Sequence, residues 1–214
     1  MARGLAGTNT QISGTTTVAK NLTNFSMAAW IRRATAASLQ FVGFAQTSND
    51  WLGIHHFSDN VCYILNGNNA SFIYGFVSAN ITGWNQFTLT FDGSQATNAT
   101  KLRIYINGAA QTLSFVGNQP ATTSNSADLE TFRIGHRVSG SFWSTGDFAE
   151  IGMWQATLSA QEADSLSKGF TCDKVRPQSL VYYSPLIRDI IDVKGGMTLT
   201  DASSTVQPHT RVYA

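Results

Sequence analysis

Apolar and polar residues alternate with a period of two along much of this chain. In NQFTLTFDG, Phe87, Leu89 and Phe91 fall on one face, while Thr88 and Thr90 fall on the other. In KLRIYINGAA, Leu102, Ile104 and Ile106 share a face opposite Lys101, Arg103 and Tyr105. Such alternation predicts half-buried antiparallel strands with their apolar side chains turned inward. Asn107-Gly108 lies between RIYI and AAQTL. Both residues tolerate positive φ, so the dipeptide predicts a type I′ hairpin turn. Further strands are predicted at FSMAAWIRR, LQFVGFAQ, WLGIHHF, VCYILNG, SFIYGFV, TFRIGHR and DFAEIGMWQA.

Turn-forming residues separate these runs at Ser48-Asn49-Asp50, Ser58-Asp59-Asn60, Gly67-Asn68-Asn69 and Asp92-Gly93. Many short strands at this spacing imply an all-β sandwich or barrel. The polar stretch from Gln119 to Asp128 reads as a surface loop. One helix is expected. Ser159 and Glu162 form a capping box, Ala163 and Leu166 share a face, and Lys168-Gly169 supplies the stop. After Cys172 the charge density rises, and the segment KVRPQSLVYYSPLIRDIIDVKGG carries two prolines, with apolar anchors at Leu180, Tyr182, Leu186, Ile190 and Ile191. About 40 residues are too few to hold a core alone. The division is therefore a domain over residues 1–172 and an arm over 173–214 packed back on it.

Composition narrows the class. The 214 residues carry a net charge of +1, and only 13% are charged. A nucleic-acid binder would show a basic surplus, so none is expected as a partner. No run of 18 apolar residues predicts membrane insertion. Ser, Thr, Asn and Gln supply about a third of the chain, so its polar surface is mostly uncharged. The N-terminus, MARGLAGTNTQISG, lacks the apolar stretch of a secretory signal.

Several runs taken together resemble a known family. FSMAAWIRR resembles the early strand of laminin-G-like domains of the concanavalin A-like lectin/glucanase superfamily. WNQFTLTFDGS followed by KLRIYINGAAQ resembles their central hairpin. DFAEIGMWQATLSAQEADSLSKG resembles their closing strand and helix, with Leu158-Ser159 at the helix start. The matches keep the family's order over roughly residues 1 to 170. The resemblance implies a two-sheet antiparallel jelly-roll sandwich with one short helix. The arm, with RPQSLVYYSPL, DVKGGMTLTDAS and PHTRVYA, resembles tails on laminin-G-like proteins of tailed bacteriophages. That resemblance implies a place on a virion surface.

Enzymes share the implied fold, so carboxylates come first. Retaining glycosidases hold two carboxyl groups about 5–5.5 Å apart. Asp147 and Glu150 are three apart and point to opposite faces of a regular strand. No second acid lies two or four positions from Glu150, and the chain has only Glu130, Glu150 and Glu162 as glutamates. No Gly-x-Ser-x-Gly elbow is present. No catalytic residues are assigned.

No metal ligand set is assigned. His55 and His56 are adjacent and face opposite sides of a strand. His136 and His209 have no Cys or His at ligand spacing, and Cys62 and Cys172 read as two free thiols. Calcium is the one cofactor the resemblance leaves open, through loop residues such as Asp50, Asp59 and Asp147, but no dense acidic loop of the Asp-x-Asp-x-Asp kind is present and these residues read first as solvated turn formers. Sugars need aromatic rings to stack on, with hydrogen-bonding groups beside them. The Gly/Ser-rich loop from His136 to Asp147 offers His136, Arg137, Ser139, Ser141, Trp143 and Ser144, and Trp51, His55 and Asn60 sit near another strand end. The expected ligand-binding set is His136, Arg137, Ser141, Trp143, Trp51 and His55. Trp30, Trp84 and Trp154 read as core.

These signals lead first to a non-catalytic bacteriophage virion surface protein, a capsid decoration or similar. Its partners would be the major capsid protein or another virion protein, further copies of itself, and cell-surface glycans. The alternatives are a soluble carbohydrate-binding lectin module and, least favoured, a glycan hydrolase.

Overall fold

The structure is a computed structural model. It describes residues 1–35, 38–45, 50–57, 61–66, 73–137 and 142–209, with backbone alone at 45 and 61–66. The first strands are β1 (Ala2–Ala6), β2 (Gln11–Thr15), β3 (Asn24–Arg33), β4 (Gln40–Ala45), β5 (Trp51–His56), β6 (Val61–Asn66), β7 (Tyr74–Ser78) and β8 (Gly83–Asp92). A one-turn helix α1 (Asn98–Lys101) precedes β9 (Leu102–Ile106), β10 (Ala109–Ala110), β11 (Ser114–Val116), β12 (Thr131–Ile134) and β13 (Thr145–Trp154). Helix α2 (Ala160–Ser167) leads to β14 (Leu180–Ser184), β15 (Leu199–Ala202) and β16 (Thr205–Gln207).

The strands form two antiparallel sheets. One, sheet A, runs β10-β9-β8-β3-β13-β1-β16, with β14 also on β13; the other, sheet B, runs β11-β7-β6-β5-β4-β12-β2-β15. The period-two reading holds. Phe87, Leu89 and Phe91 meet Phe25, Met27, Ala29 and Ile31 in the core between the sheets, and Val42, Phe44, Leu52, Ile54, Phe132 and Ile134 close it from sheet B. The hairpin turn is as read, with φ of 52° at Asn107 and 79° at Gly108.

A second, smaller core lies on the outer face of sheet A, where Ala28, Trp154, Leu158, Leu166, Cys172, Val175, Leu180 and Tyr183 pack together. Helix α2 covers it. Ser159 caps the helix and Glu162 completes the box, as the spacing requires. The arm joins both sheets, because β14 and β16 pair in sheet A while β15 pairs β2 in sheet B. Asp192 helps to fold it by accepting from the backbone N–H groups of Tyr183, Lys194, Gly195 and Met197.

Three expectations need correction. The stretch from Gln119 to Asp128 is not all surface: Gln119, Thr123, Ser124 and Asp128 are buried. Thr123 Oγ1 donates to Ala19 O at 2.6 Å and accepts from Leu22 N, which ties the loop to the sandwich. Trp30 and Trp84 do not lie in the core. They alternate with core residues, so the pleat turns both outward, half-buried on sheet A. Finally, β13 is not regular. Ala149 pairs Trp30 while Gly152 pairs Ala28, so one extra residue bulges out, and Glu150 takes φ +51°.

Candidate functional site

The bulge changes what Asp147 and Glu150 face. Asp147 forms an ion pair with Arg32, an outward residue of β3. Glu150 accepts from the phenol of Tyr183, which belongs to the outer core. Both acids therefore lie on the outer side of sheet A, contrary to the expectation from a regular strand. The extra residue shifts the alternation by one.

The loop flagged in the sequence roofs the outer face of sheet B. Gly135 ends β12 at φ +93°, and a Cβ there would meet Leu5 Cδ1 at 2.0 Å. An isolated bridge joins His136 to Trp143, whose rings stack with centroids 3.7 Å apart and planes 12° apart. Ser144 locks this bridge: its N–H donates to Gly135 O at 2.7 Å, and its hydroxyl accepts from Phe41 N at 2.9 Å.

Under this roof sits Arg137. Its guanidinium carbon is 3.9 Å from the Trp51 ring centroid and 4.2 Å from that of Phe142. The planar cation is sandwiched between two aromatic faces, an arrangement that suits guanidinium better than ammonium. Burial pulls its pKa down to about 10, so it stays charged at neutral pH. Its Nη1 lies 3.4 Å from Nδ1 of His55 and donates toward it. Burial foremost, then the charge of Arg137, holds His55 well below the ordinary histidine pKa. The imidazole is neutral, which lets Nδ1 accept. Phe41, Phe57 and Phe142 pack around it, the nearest ring centroid being that of Phe57 at 4.0 Å.

The structure thus brings together five of the six expected binding residues: Trp51, His55, His136, Arg137 and Trp143. Ser141 lies outside the described residues, as do Ser139, Asn60 and Asp59. The five divide by depth. Trp51, His55 and Arg137 are buried at 4%, 1% and 7% exposure, while His136 and Trp143 are half-buried. The deep group lies beneath the loop, and the stacked pair lies nearer the surface. Phe41, Phe57 and Phe142 were missed by sequence reasoning. The signal for Phe41 was present, since it alternates with the core residues Val42 and Phe44 and must face outward.

His55 and His56 do face opposite ways. His56 packs on the core residue Phe87, with Nε2 2.8 Å from Ala79 O and from Arg33 Nη1. Among the described residues no three His, Cys, Asp or Glu side chains converge as metal ligands would. Asp50 is buried just before β5. Cys172 is a free thiol in the outer core, its pKa pushed up by burial. The Cys62 side chain lies outside the described residues.

This architecture, two antiparallel sheets with one covering helix, is that of a concanavalin A-like sandwich. A laminin G family model, described as the concanavalin A-like lectin/glucanases superfamily, matches residues 6–164, and the chain belongs to that superfamily. Solved structures agree on the fold. The chain is similar to a proposed carbohydrate binding protein from Bacteroides ovatus, with a TM-score of 0.69 and 16% identity over 95% of this chain and 58% of that one. It is similar to the native heptameric SAP-like pentraxin from Limulus polyphemus, with a TM-score of 0.58 and 12% identity over 95% of this chain and 93% of that one. Domains LG4-5 of the mouse laminin alpha1 chain match at a TM-score of 0.50 and 12% identity, over 74% of this chain and 42% of that one. The chain thus spans a little over half the length of the Bacteroides protein. No curated protein matches it in sequence.

Proposed function

We propose that the protein is a non-catalytic carbohydrate-binding module that uses the loop over sheet B as its platform. The observation that carries this reading is the stacked, half-buried His136–Trp143 pair. A sugar ring needs an aromatic surface already held in place, since ordering it on binding costs affinity. Here the Arg137 sandwich beneath the loop supplies that support. The Bacteroides neighbour, described as carbohydrate-binding, fits the same reading. Asp147 and Glu150 are engaged by Arg32 and Tyr183, which favours binding over hydrolysis. The test is a glycan array with the parent chain and Trp143→Ala. Binding that disappears in the variant supports the reading. A blank array for the parent, with no thermal shift on adding calcium, overturns it.

A second reading adds location. The arm exposes Ile187, Ile191, Val193 and Val206, the last three at about half their full area. Exposed apolar side chains on one segment suit burial against another protein. We propose a bacteriophage capsid protein as that partner, with the module displayed on the virion surface and self-associating there. Repeated copies would turn weak glycan contacts into avidity. Immuno-gold labelling that leaves purified particles bare would sink this reading without touching the first.

A further inference from the structure

The outer face of sheet A is divided in two. Helix α2 and the residues following it cover the half around Ala28, Trp154 and Tyr183. The other half carries Trp30, Arg32, Trp84 and Gln86, which alternate with the core residues Ala29, Ile31 and Phe87. Strand register sets them in a grid: Trp30 lies opposite Gln86, and Arg32 lies opposite both Trp84 and Asp147. Two indoles therefore stand beside an amide and an ion pair.

A residue from the far end of the chain lies on them. After β16 pairs with β1, the backbone passes Pro208 and lays the His209 ring against both tryptophans. The centroids are 4.3 Å from Trp84 and 5.7 Å from Trp30, edge-on in each case. The imidazole satisfies this place badly. Both of its ring nitrogens are buried with no hydrogen-bond partner. Burial foremost, then the positive amino terminus, pulls its pKa down to about 4. On the same face, Gln86 is buried and its Nε2 donates to Phe87 O and Thr88 Oγ1, yet its Oε1 has no donor. A buried acceptor without a donor and a ring without partners are each costly, so native proteins keep few of either.

We propose that the Trp30–Trp84 slot is a second ligand site, shaped for a pyranose ring, and that the tail plugs it through His209 when no ligand is bound. A pyranose presents C–H faces to the indoles and O–H donors to Gln86 Oε1, the donors His209 does not supply. Arg32 and Asp147 at the border offer charged partners to further hydroxyls. Opening the slot leaves β16 on β1, because β16 ends at Gln207 and the ring that fills the slot is that of His209. This site lies on the opposite sheet from the Trp143 platform and does not depend on it.

The experiment uses the full chain in four forms: parent, His209→Ala, His209→Ala with Trp84→Ala, and His209→Ala with Trp143→Ala. Each is run in affinity electrophoresis against laminarin, dextran, mannan and xylan, with tryptophan fluorescence read in parallel. His209→Ala is expected to bind at least one of the four about tenfold or more tighter than the parent. The gain is expected to vanish with Trp84→Ala and to survive Trp143→Ala. If the Trp84→Ala form fails to fold, His209→Ala with Gln86→Leu replaces it, and the gain is expected to vanish there too. No gain on any polysaccharide, or a gain that survives loss of Trp84 or Gln86, overturns the proposal.

Discussion

The Tyr183 phenol donates a 2.6 Å hydrogen bond to the Glu150 carboxylate across the outer face of sheet A. Glu150 occupies the bulge of β13 at φ +51°, a region that non-glycine residues seldom adopt. The side chain is buried at 6% exposure. A buried carboxylate needs donors, and the strained backbone is what aims this one at its partner.

Tyr183→Phe keeps the ring and removes that donor. A hydrogen bond to a charged group contributes about 1.5–3 kcal/mol. The expected loss of unfolding free energy in urea lies in that range. A loss below about 0.5 kcal/mol would show that the bond does not hold the bulge.

Arg137→Lys tests the sandwich between Trp51 and Phe142. Lysine keeps the charge but cannot stack a planar group on two rings. Each cation–π contact contributes about 0.5–2 kcal/mol, so a destabilisation of about 1–2 kcal/mol is expected. The near-UV circular dichroism of the tryptophans is also expected to weaken, since the Trp143 loop rests on this support. An unchanged spectrum would separate the loop from its brace.

His55 makes stability depend on pH. Its pKa is lowered in the folded chain, so below the ordinary value of 6.5 the unfolded chain takes up a proton that the folded chain does not. Stability is full above pH 6.5 and is lost as pH falls from there toward the folded value. The slope for one such group is up to about 1.4 kcal/mol per pH unit. His209 acts in the same direction, down to about pH 4. Urea midpoints measured from pH 7.5 to 5 are expected to fall, and His55→Gln is expected to flatten the curve.

Glu162→Ala removes two structures at once. Glu162 Oε2 accepts from Ser159 N at 2.7 Å to close the capping box, and both carboxylate oxygens accept from Arg176 at 2.8 Å. Burial raises its pKa, but the Ser159 N–H and Arg176 outweigh burial and the net shift is downward. Its contribution is present above the ordinary glutamate range and lost in acid. A cost of about 1–2 kcal/mol is expected at pH 7, read as a lower denaturation midpoint. A cost no larger at pH 7 than at pH 3 would mean that the charge plays no part.

Much of the frame was legible along the chain. Alternation placed Phe87, Leu89 and Phe91 inward, Asn107-Gly108 marked its hairpin, and Ser159 with Glu162 marked the start of helix α2. These features rest on neighbours within a few residues. The site was legible in part. Trp143 on its loop stood out, but nothing local revealed that Arg137 would lie between Trp51 and Phe142. Outward faces were the weak point. Trp30 and Trp84 read as core along the chain, and only the register of β3 against β8 sets them together on an outward face beneath His209.

The sequence by itself determined the strands, their inward faces and the helix cap, because each is written in spacing that a short stretch of backbone must obey, and the family was legible through the resemblance of whole runs to laminin-G-like domains. The tertiary structure alone decided the bulge at Glu150, the entry of the arm into both sheets and the roofing of each outer face. These depend on partners more than 30 residues apart, as with Glu150 and Tyr183 or Arg137 and Trp51, or at opposite ends of the chain, as with Trp30 and His209. Burial of an outward-facing residue is fixed by what folds over it. No local pattern carries that information.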